Sequence, residues 1–150
     1  MQTPNVEAIR VIITDDHVLY RAGVKASLSF TDRIKIIGEA ENGSCLLTLL
    51  QNCLPDVILL DVQMPVMDGI TTLPELKKCY PQIKVIILSM MDDQSMITRL
   101  MELGANSYLT KTSDPEIIYE AIQTCHEHEY VYNALTARSL HNPSSNKHLN

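Results

Sequence analysis

The sequence predicts an α/β protein built on a five-stranded parallel sheet. Strand-like apolar runs and segments of helical periodicity alternate five times along the 150 residues. The strand-like runs are continuously apolar, which is typical of parallel strands covered by helices on both faces. Charged or hydroxyl side chains stand at the ends of four of the runs. We expect these groups to lie together, because ligands of open parallel sheets bind beyond the carboxyl ends of the strands.

The predicted strands are rich in Val, Ile and Leu and cover residues 9–14, 34–38, 56–60, 84–88 and 106–110. The segments between them carry apolar residues at helical spacing, so each predicts a helix with one apolar face. The residues that define these faces are Leu46, Leu49, Leu50 and Cys53, then Ile97, Leu100 and Met101, then Ile117, Ile118, Ala121, Ile122 and Cys125.

Two proline residues bear on where helices begin. The side chain of Ser113 or Asp114 can cap free amides and Pro115 suits a first helical turn, so the last helix is expected to begin just after Lys111. Pro74 lies inside the third helical pattern, where proline removes one backbone hydrogen bond and crowds the preceding turn. We therefore expect a kink or a late helix start at Pro74.

The composition is that of an ordinary globular protein of about one domain, with 45% hydrophobic and 20% charged residues. No apolar run approaches the roughly 18 residues that suggest a membrane span, and the first ten residues lack the pattern of a secretion signal. We therefore expect a soluble, cytoplasmic protein with no membrane contact. The net charge of -6, without a basic cluster, argues against nucleic-acid binding by these residues, so a DNA target would need another domain.

The spacing of cysteine and histidine does not favour a disulfide framework or a zinc site. His126 and His128 are two residues apart and therefore lie on different faces of a helix, so a polar helix end is preferred over a metal pair. The cysteines form no C-x-x-C pair and fall on the apolar side or at the end of candidate helices, which predicts buried free thiols at Cys45, Cys53, Cys79 and Cys125.

The side chains at the strand ends suit a carboxylate that accepts a phosphoryl group. Asp15 and Asp16 follow the first run, Asp61 the third, Ser89 the fourth and Lys111 the fifth. A carboxylate attacks a phosphoryl donor only when the negative charges of both are neutralised, which a hard divalent cation such as Mg2+ does best. Three clustered acids also call for a cation, because they would otherwise repel one another.

Each of these groups has an expected role. Asp16 and Asp61 can supply carboxylate oxygens to the metal, Asp15 can hold a metal-bound water, and a main-chain carbonyl just after Asp61 can complete the set. Lys111 would meet the transferred phosphoryl group as a point charge, and the Ser89 hydroxyl would bind one of its oxygens. The simpler alternatives are that Lys111 only pairs with Asp61 and that Asp15 and Asp16 only cap the first helix. Neither alternative explains all five residues.

Four segments resemble the receiver domain of bacterial two-component response regulators. They are residues 13–17 (ITDDH), 59–69 (LLDVQMPVMDG), 88–89 (LS) and 108–111 (YLTK). The match runs in order from about residue 9 to 127, and its part from Asp61 to Gly69 is highly specific. Residues 9–17 and 88–93 are most similar to the subfamily whose receivers precede a C-terminal helix-turn-helix DNA-binding domain.

The resemblance implies a flavodoxin-like receiver fold with strand order 2-1-3-4-5 and helices on both faces. It implies a receiver domain at residues 1–130 and a C-terminal tail or linker at 131–150, leading toward an output domain that these 150 residues do not contain. The polar, turn-rich segment 142–147 (NPSSNK) has the composition of a linker.

The resemblance also implies a chemical role for each site residue. In the family a sensor histidine kinase donates its phosphoryl group to the aspartate at the position of Asp61, with Mg2+ bound. Asp16 would bind the metal directly, Asp15 mainly through water, and Gln63 through its main-chain carbonyl. Such a domain is a signalling switch that controls an output, here expected to be transcription. It is not an enzyme, because it catalyses only its own phosphoryl transfer and dephosphorylation.

Switching is expected to follow from the added charge. Phosphorylation contributes about -1.5 to -2 charges and new acceptor oxygens, which draw Ser89 and its loop toward the phosphoryl group. In the family, the aromatic at the position of Tyr108 then rotates into the vacated space, and the face formed by residues 92–127 changes. Homodimerisation on phosphorylation is a further expectation. The alternative for Tyr108 is a surface aromatic on an edge strand.

Three features depart from the family pattern: the residue after Lys111, the residues that flank the site, and Pro74, which is unusual within its helix. Thr112 follows Lys111 where many members have proline, and Met91 stands where the subfamily often has histidine. Gln63 also flanks the site, and such flanking groups control how water reaches an acyl phosphate.

Two other classes of protein are alternatives to a phosphorylated receiver. A phosphatase of the haloacid dehalogenase type needs a second acid at the position of Gln63. A phosphorylation-independent interaction domain ranks second, because all five residues of the predicted site are intact.

Overall fold

Five strands alternate with five helices in the computed structural model, which describes residues 7–128. The predicted tail at 131–150 lies outside the described residues. The strands are β1 (Ile9–Thr14), β2 (Ile34–Ala40), β3 (Val57–Leu60), β4 (Lys84–Ser89) and β5 (Ser107–Thr110). The helices are α1 (Val18–Ser27), α2 (Gly43–Leu50), α3 (Gly69–Cys79), α4 (Gln94–Glu102) and α5 (Pro115–Glu127).

The strands form one parallel sheet in the order β2-β1-β3-β4-β5, which confirms the predicted fold class and strand order. The largest difference from the predicted bounds is at β2, which continues to Ala40. Because β1 and β3 are neighbours, their carboxyl ends lie side by side: the N–H of Asp61, directly after β3, donates a hydrogen bond of 3.0 Å to the carbonyl of Thr14, the last residue of β1. This pairing positions the carboxyl edge of the sheet, where the predicted site lies.

Two hydrophobic clusters cover the two faces of the sheet, as the continuously apolar strands predicted. Ile12 and Ile58 belong to the first cluster, and their neighbours Val11 and Leu59 belong to the second. Helices α2, α3 and α4 contribute Leu46, Leu73 and Leu100 to the first cluster, and α1 and α5 contribute Val24 and Ile122 to the second. The sheet is therefore buried between two layers of helices.

Polar side chains fix the starts of three helices. Asn42, Asp68 and Asp93 precede α2, α3 and α4, and each side-chain oxygen accepts a main-chain N–H of the first turn. Helix α5 begins at Pro115 as predicted, directly after Asp114. The predicted capping by a short side chain is wrong here, because the Asp114 side chain makes no capping hydrogen bond.

The late helix start expected at Pro74 is also wrong. Helix α3 begins at Gly69, because the Asp68 side chain caps it and the Gly69 N–H donates to the Val62 carbonyl at 2.8 Å. Pro74 therefore lies inside the helix, on its exposed side. Burial of Leu73 beside it compensates for the backbone hydrogen bond that proline cannot form.

The predicted burial of the cysteines is confirmed only for Cys125. All four cysteines are free, but Cys45 and Cys79 are exposed and Cys53 is half-buried. Ile117 is likewise 46% exposed. Helical spacing defines an apolar stripe but not its width, so residues at the margin of the stripe reach solvent. Within residues 7–128, no helix is both long enough and apolar enough to cross a bilayer.

Candidate functional site

Three acidic side chains and a lysine lie at the carboxyl edge of the sheet. Asp15 and Asp16 follow β1, Asp61 follows β3, and Lys111 follows β5. Lys111 Nζ lies 2.5 Å from Asp15 Oδ2 and 3.0 Å from Asp61 Oδ2. The side chains of Lys111, Asp15 and Asp61 are 6%, 3% and 4% exposed, so the ion cluster is buried. The structure thus brings together residues that lie up to 96 positions apart (111 - 15).

Both carboxylate oxygens of Asp61 accept hydrogen bonds. Its Oδ1 accepts the main-chain N–H of Val62 at 2.8 Å, and its Oδ2 accepts from Lys111. Burial raises the pKa of Asp61, the hydrogen bond from Lys111 opposes the rise, and the charge of Asp15 adds to it, so the pKa lies above its usual value. A carboxylate that has lost water in this way is more basic than an exposed one, which favours its use as a nucleophile.

The start of α3 approaches Asp61 so closely that only glycine fits. A Cβ on Gly69 would lie 2.4 Å from the main-chain oxygen of Asp61 and 2.8 Å from the Cα of Val62. A larger residue would therefore push the helix away from the end of β3. This contact fixes the loop at residues 62–68, which includes Gln63.

Lys111 is charged but cannot neutralise the site. Burial lowers the pKa of Lys111, but the hydrogen bonds and charges of Asp15 and Asp61 outweigh this effect and raise it above its usual value. One lysine among three acids leaves an excess of negative charge at the edge of the sheet. That excess favours a second, external cation.

The acids have the arrangement that a divalent cation needs. Within the described part of the chain, the one group suited to a metal comprises Asp15, Asp16, His17 and Asp61, whose ligand atoms lie within 4.8 Å of one another. Asp16 Oδ1 is buried and accepts no hydrogen bond, although His17 Nδ1 is 3.3 Å away. Carboxylate oxygens are the ligands that Mg2+ prefers, so these residues fit such an ion. His126 and His128 are not part of this group.

His17 is a site residue to which the sequence assigned no role. Its main-chain N–H donates to Asp15 Oδ1 at 2.8 Å, and its ring Nδ1 lies 3.1 Å from the same oxygen. The ring is 66% exposed, so it covers the acids from the solvent side. Its position directly after two acids was the signal that could have identified it.

Ser89 and Tyr108 form a second polar group beside the ion cluster. Tyr108 is fully buried, so the alternative of a surface aromatic is wrong. Its hydroxyl donates to the Met91 carbonyl at 2.6 Å and is hydrogen-bonded to Ser89, whose Oγ accepts the Met91 N–H at 3.0 Å. Burial raises the pKa of Tyr108 despite the Ser89 hydrogen bond. The Lys111 N–H donates to the Ser89 carbonyl at 2.9 Å, which connects this group to the ion cluster.

A surface pocket of about 690 Å³ opens beside the acids. Its wall combines polar groups from the β1 and β3 ends with apolar side chains from α3, α4 and the loop before α4. The lining residues are Asp16, His17, Val62, Gln63, Met64, Pro65, Asp68, Ile70, Met91 and Met96. Asp16 and Gln63 thus share one opening to solvent, through which a metal ion can reach the acids.

Comparison with known proteins gives consistent matches. The family model described as response regulator receiver domain matches residues 11–123. The chain is 36% identical over 119 residues to the transcriptional regulatory protein DegU of Brevibacillus brevis, which covers 79% of this chain and 50% of DegU. It is 35% identical over 125 residues to the response regulator protein VraR of Staphylococcus epidermidis, which covers 83% of this chain and 60% of VraR.

A solved structure extends the match to three dimensions. The signal receiver domain of the putative response regulator NarL from Mycobacterium tuberculosis is 34% identical to this chain, with a TM-score of 0.76. The match covers 81% of this chain and 98% of the NarL domain. The chain therefore corresponds to the receiver part of such proteins. It spans between half and three fifths of the length of the two curated relatives named above.

Proposed function

This chain belongs to the response regulator receiver domain family, and we propose that Asp61 is its phosphoacceptor. The proposed donor is a sensor histidine kinase, and the proposed output is transcription, through a DNA-binding domain outside these 150 residues to which the segment 131–150 leads. The observation that carries the assignment is the burial of Asp61 against Lys111, beside a pocket that is open to solvent.

The proposed reaction is a phosphoryl transfer from nitrogen to oxygen. A carboxylate oxygen of Asp61 attacks the phosphorus, and the bond from phosphorus to the imidazole nitrogen of the donor breaks. The electron pair of that bond remains on the nitrogen, which takes up a proton when the imidazole is released. Lys111 stabilises the negative charge that develops on the phosphoryl oxygens. Water later attacks the aspartyl phosphate and releases inorganic phosphate, which restores Asp61.

The proposed metal is Mg2+. Asp16 and Asp61 would bind it through carboxylate oxygens, Gln63 through its main-chain carbonyl and Asp15 mainly through water. The ion supplies the positive charge that allows a carboxylate and a phosphoryl group to approach each other. The orphaned Asp16 Oδ1 and the excess of negative charge support this assignment.

The proposed switch begins at Ser89. A phosphoryl group on Asp61 offers acceptor oxygens, and the Ser89 hydroxyl gives up its contacts with Met91 and Tyr108 to reach one of them. Tyr108 already occupies the interior, so the change affects its hydrogen bonds and does not require its entry from solvent. Since Met91 precedes α4 and Tyr108 lies on β5, the face formed by residues 92–127 responds. Homodimerisation through a changed face is part of this proposal.

The assignment is tested by intact-mass measurement after incubation with Mg2+ and acetyl phosphate. We expect one added phosphoryl group on the wild type, lost with hydroxylamine because the adduct is an acyl phosphate. Asp61→Asn should abolish the adduct, whereas the matched control Asp32→Asn, at an exposed position, should retain it.

Two outcomes contradict the assignment. An adduct of equal yield on Asp61→Asn would place the phosphoacceptor elsewhere. No adduct on the wild type, with Mg2+ binding shown separately by calorimetry and no phosphate released from the donor, would favour a receiver that interacts without phosphorylation.

A further inference from the structure

Tyr20 contacts the ion cluster, although it lies outside the motifs that identify the family. It is the third residue of α1 and lies one helical turn after Asp16. Lys111 Nζ lies over the Tyr20 ring, 4.6 Å from the ring centroid. An ammonium at this distance is attracted by the negative face of an aromatic ring. Tyr20 therefore touches the lysine that meets the phosphoryl group in the proposed reaction.

The Tyr20 ring is the third group that contacts the Lys111 ammonium, after the carboxylates of Asp15 and Asp61. A lysine ammonium has three N–H donors and no acceptor. Asp15 Oδ2 and Asp61 Oδ2 are within hydrogen-bonding distance of Nζ, at 2.5 and 3.0 Å. The Tyr20 ring face lies against Nζ as well, so the ammonium has two carboxylates and one aromatic face around it.

The backbone of Tyr20 is anchored by the residue that follows it. The Arg21 guanidinium donates to the main-chain carbonyl of Asp15, and its Nε donates to Glu39 Oε1 on β2 at 3.2 Å. The Arg21 side chain is only 14% exposed. The first turn of α1 is thus fixed to Asp15, directly after β1, and to β2, which holds the ring in place over Lys111.

The interaction belongs to the ring and not to the hydroxyl. The Tyr20 hydroxyl oxygen is buried and has no hydrogen-bond partner within residues 7–128. Burial raises the pKa of Tyr20 to about 12, with the charges of Asp15 and Asp61 adding to the effect, so the side chain is a neutral phenol at physiological pH. An ion pair between a phenolate and Lys111 is therefore excluded.

Space for an alternative position of Lys111 lies next to the ring. A cavity of about 190 Å³ between α1 and α5 borders both Tyr20 and Lys111, together with Leu19, Gly23, Ser113 and Ile118. Without the ring, the flexible lysine stem has room to carry the ammonium away from the acids into this cavity. The ring thus restricts Lys111 to the side of the phosphoacceptor.

We propose that Tyr20 is a positioning residue for phosphoryl transfer, whose ring face holds the Lys111 ammonium between Asp15 and Asp61. This inference rests on the proposed function of Asp61 and adds a residue to it. It predicts that an aromatic ring is required at position 20 and that the hydroxyl is not.

The kinetic test compares Tyr20→Leu with Tyr20→Phe. With saturating Mg2+ and acetyl phosphate, the rate of mass labelling should fall about 10-fold in Tyr20→Leu, because the cation–π contact is lost. Tyr20→Phe keeps the ring, so its labelling rate should stay within about twofold of the wild-type rate. Tyr119→Leu is the matched control, since Tyr119 packs against Phe30 at a ring distance of 5.2 Å and does not contact Lys111 in the described structure.

A double-mutant cycle separates positioning from a general structural effect. In a Lys111→Met background, Tyr20→Leu should no longer slow labelling, because the ammonium that it positions is gone. An equal slowing in both backgrounds would show that Tyr20 acts on the fold and not through Lys111. An equal loss in Tyr20→Phe and Tyr20→Leu would transfer the role to the hydroxyl. Either result overturns the proposal.

A measurement on the unphosphorylated wild type tests the geometry without any labelling. NMR should show the ε-methylene protons of Lys111 shifted upfield by the ring current of Tyr20, with the shift retained in Tyr20→Phe. Shifts typical of a free lysine would overturn the proposal even if Tyr20→Leu did not fold. If Asp61 proved not to be phosphorylated while the upfield shift was present, the proposed function would fail but the contact would stand.

Discussion

A lysine side chain takes part in a polar network at each edge of the sheet: Lys111, which follows β5, at the carboxyl edge and Lys77 of α3 at the amino edge. At the carboxyl edge, Lys111 Nζ lies between Asp15 and Asp61. At the amino edge, Lys77 Nζ donates to Asn106 Oδ1 at 2.6 Å. One lysine has charged partners that outnumber it, whereas the other has a neutral amide as a partner.

The network at the amino edge is centred on the buried side chain of Asn106. Asn106 is 3% exposed, and its Oδ1 accepts both Lys77 Nζ and the Val85 N–H, the latter at 2.9 Å. Its own N–H donates to the Val85 carbonyl at 2.8 Å. These bonds tie the end of α3 and the starts of β4 and β5 together. The difference teaches that hydrogen bonds to a buried amide stabilise the fold, while a buried excess of negative charge with an unpaired acceptor favours the binding of a cation.

The largest effect on stability is expected from Asn106→Ala. This change leaves the buried Val85 N–H without its side-chain acceptor and removes a partner of Lys77, so the free energy of unfolding should fall by about 3 kcal/mol. Urea denaturation measures the change. The phosphorylation yield of the folded fraction should remain that of the wild type, because the carboxyl edge is untouched.

Asn52→Ala provides the matched control, since Asn52 is exposed. It should change the free energy of unfolding by less than about 0.5 kcal/mol. If the two variants were equally stable, the amino-edge network would not be a source of stability. If Asn106→Ala instead lost its labelling, the two edges would not be independent.

A change of opposite sign is expected from Asp61→Asn in the absence of Mg2+. Removing one charge from the buried cluster should raise the free energy of unfolding by about 1 kcal/mol at pH 7, as is common where function costs stability. Burial raises the folded-state pKa of Asp61 above its unfolded value. A group of this kind loses its contribution to stability as the pH rises through the folded pKa. The gain from Asp61→Asn should therefore be present at pH 7 and disappear below about pH 4, near the unfolded pKa of aspartate.

Denaturation of both proteins in urea across this pH range, with a chelator present, provides the measurement. Asp32→Asn serves as the control and should show no such pH-dependent gain, since Asp32 is exposed. A less stable Asp61→Asn at pH 7 would mean that the ion pair with Lys111 outweighs the cost of burying the charge.

The carboxyl edge of the sheet could be predicted from the sequence, but the full set of contacts at that edge could not. Continuous apolar runs such as Val57–Leu60 define buried strands by composition alone, so the sheet and its edge were predictable. The strand ends then placed Asp61 and Lys111 at the same edge. The partners of Lys111 were not predictable in full, because its shortest contact is with Asp15 and depends on the side-chain packing at β1 and β5.

Contacts between side chains on different helices and strands were the main features that could not be predicted from the sequence. Tyr20 and Lys111 are separated along the chain and meet only because α1 and the end of β5 lie side by side. Periodicity describes one helix at a time, so it could not show that the Tyr20 ring, which packs beside the second hydrophobic cluster, also contacts the charge of Lys111. The same limit explains why the exposure of Cys45 was missed, since its position relative to the apolar stripe of α2 depends on what packs against that helix.

The smallest effect is expected from Val66→Gly. It tests the backbone strain near the carboxyl edge, which can be compared with the positive φ angle of a glycine near the amino edge. Within residues 7–128, positive φ angles occur at Val66, with φ 68°, and at Gly104, with φ 109°. The Met67 N–H donates to the Pro65 carbonyl at 2.7 Å across Val66, which describes a strained γ-turn in the loop that follows Asp61, the proposed phosphoacceptor.

Because the Val66 side chain is 85% exposed, its removal loses little burial and relieves a left-handed conformation that costs about 1–2 kcal/mol. The greater freedom of glycine in the unfolded chain offsets part of this gain, so we expect about 0.5 kcal/mol of added stability in urea denaturation. Gly104→Val should act in the opposite direction and more strongly, since its Cβ would also lie 3.0 Å from Lys77 Cγ. A destabilised Val66→Gly would show that the loop beside Asp61 stores no strain, and the contrast between the edges would then rest on charge alone.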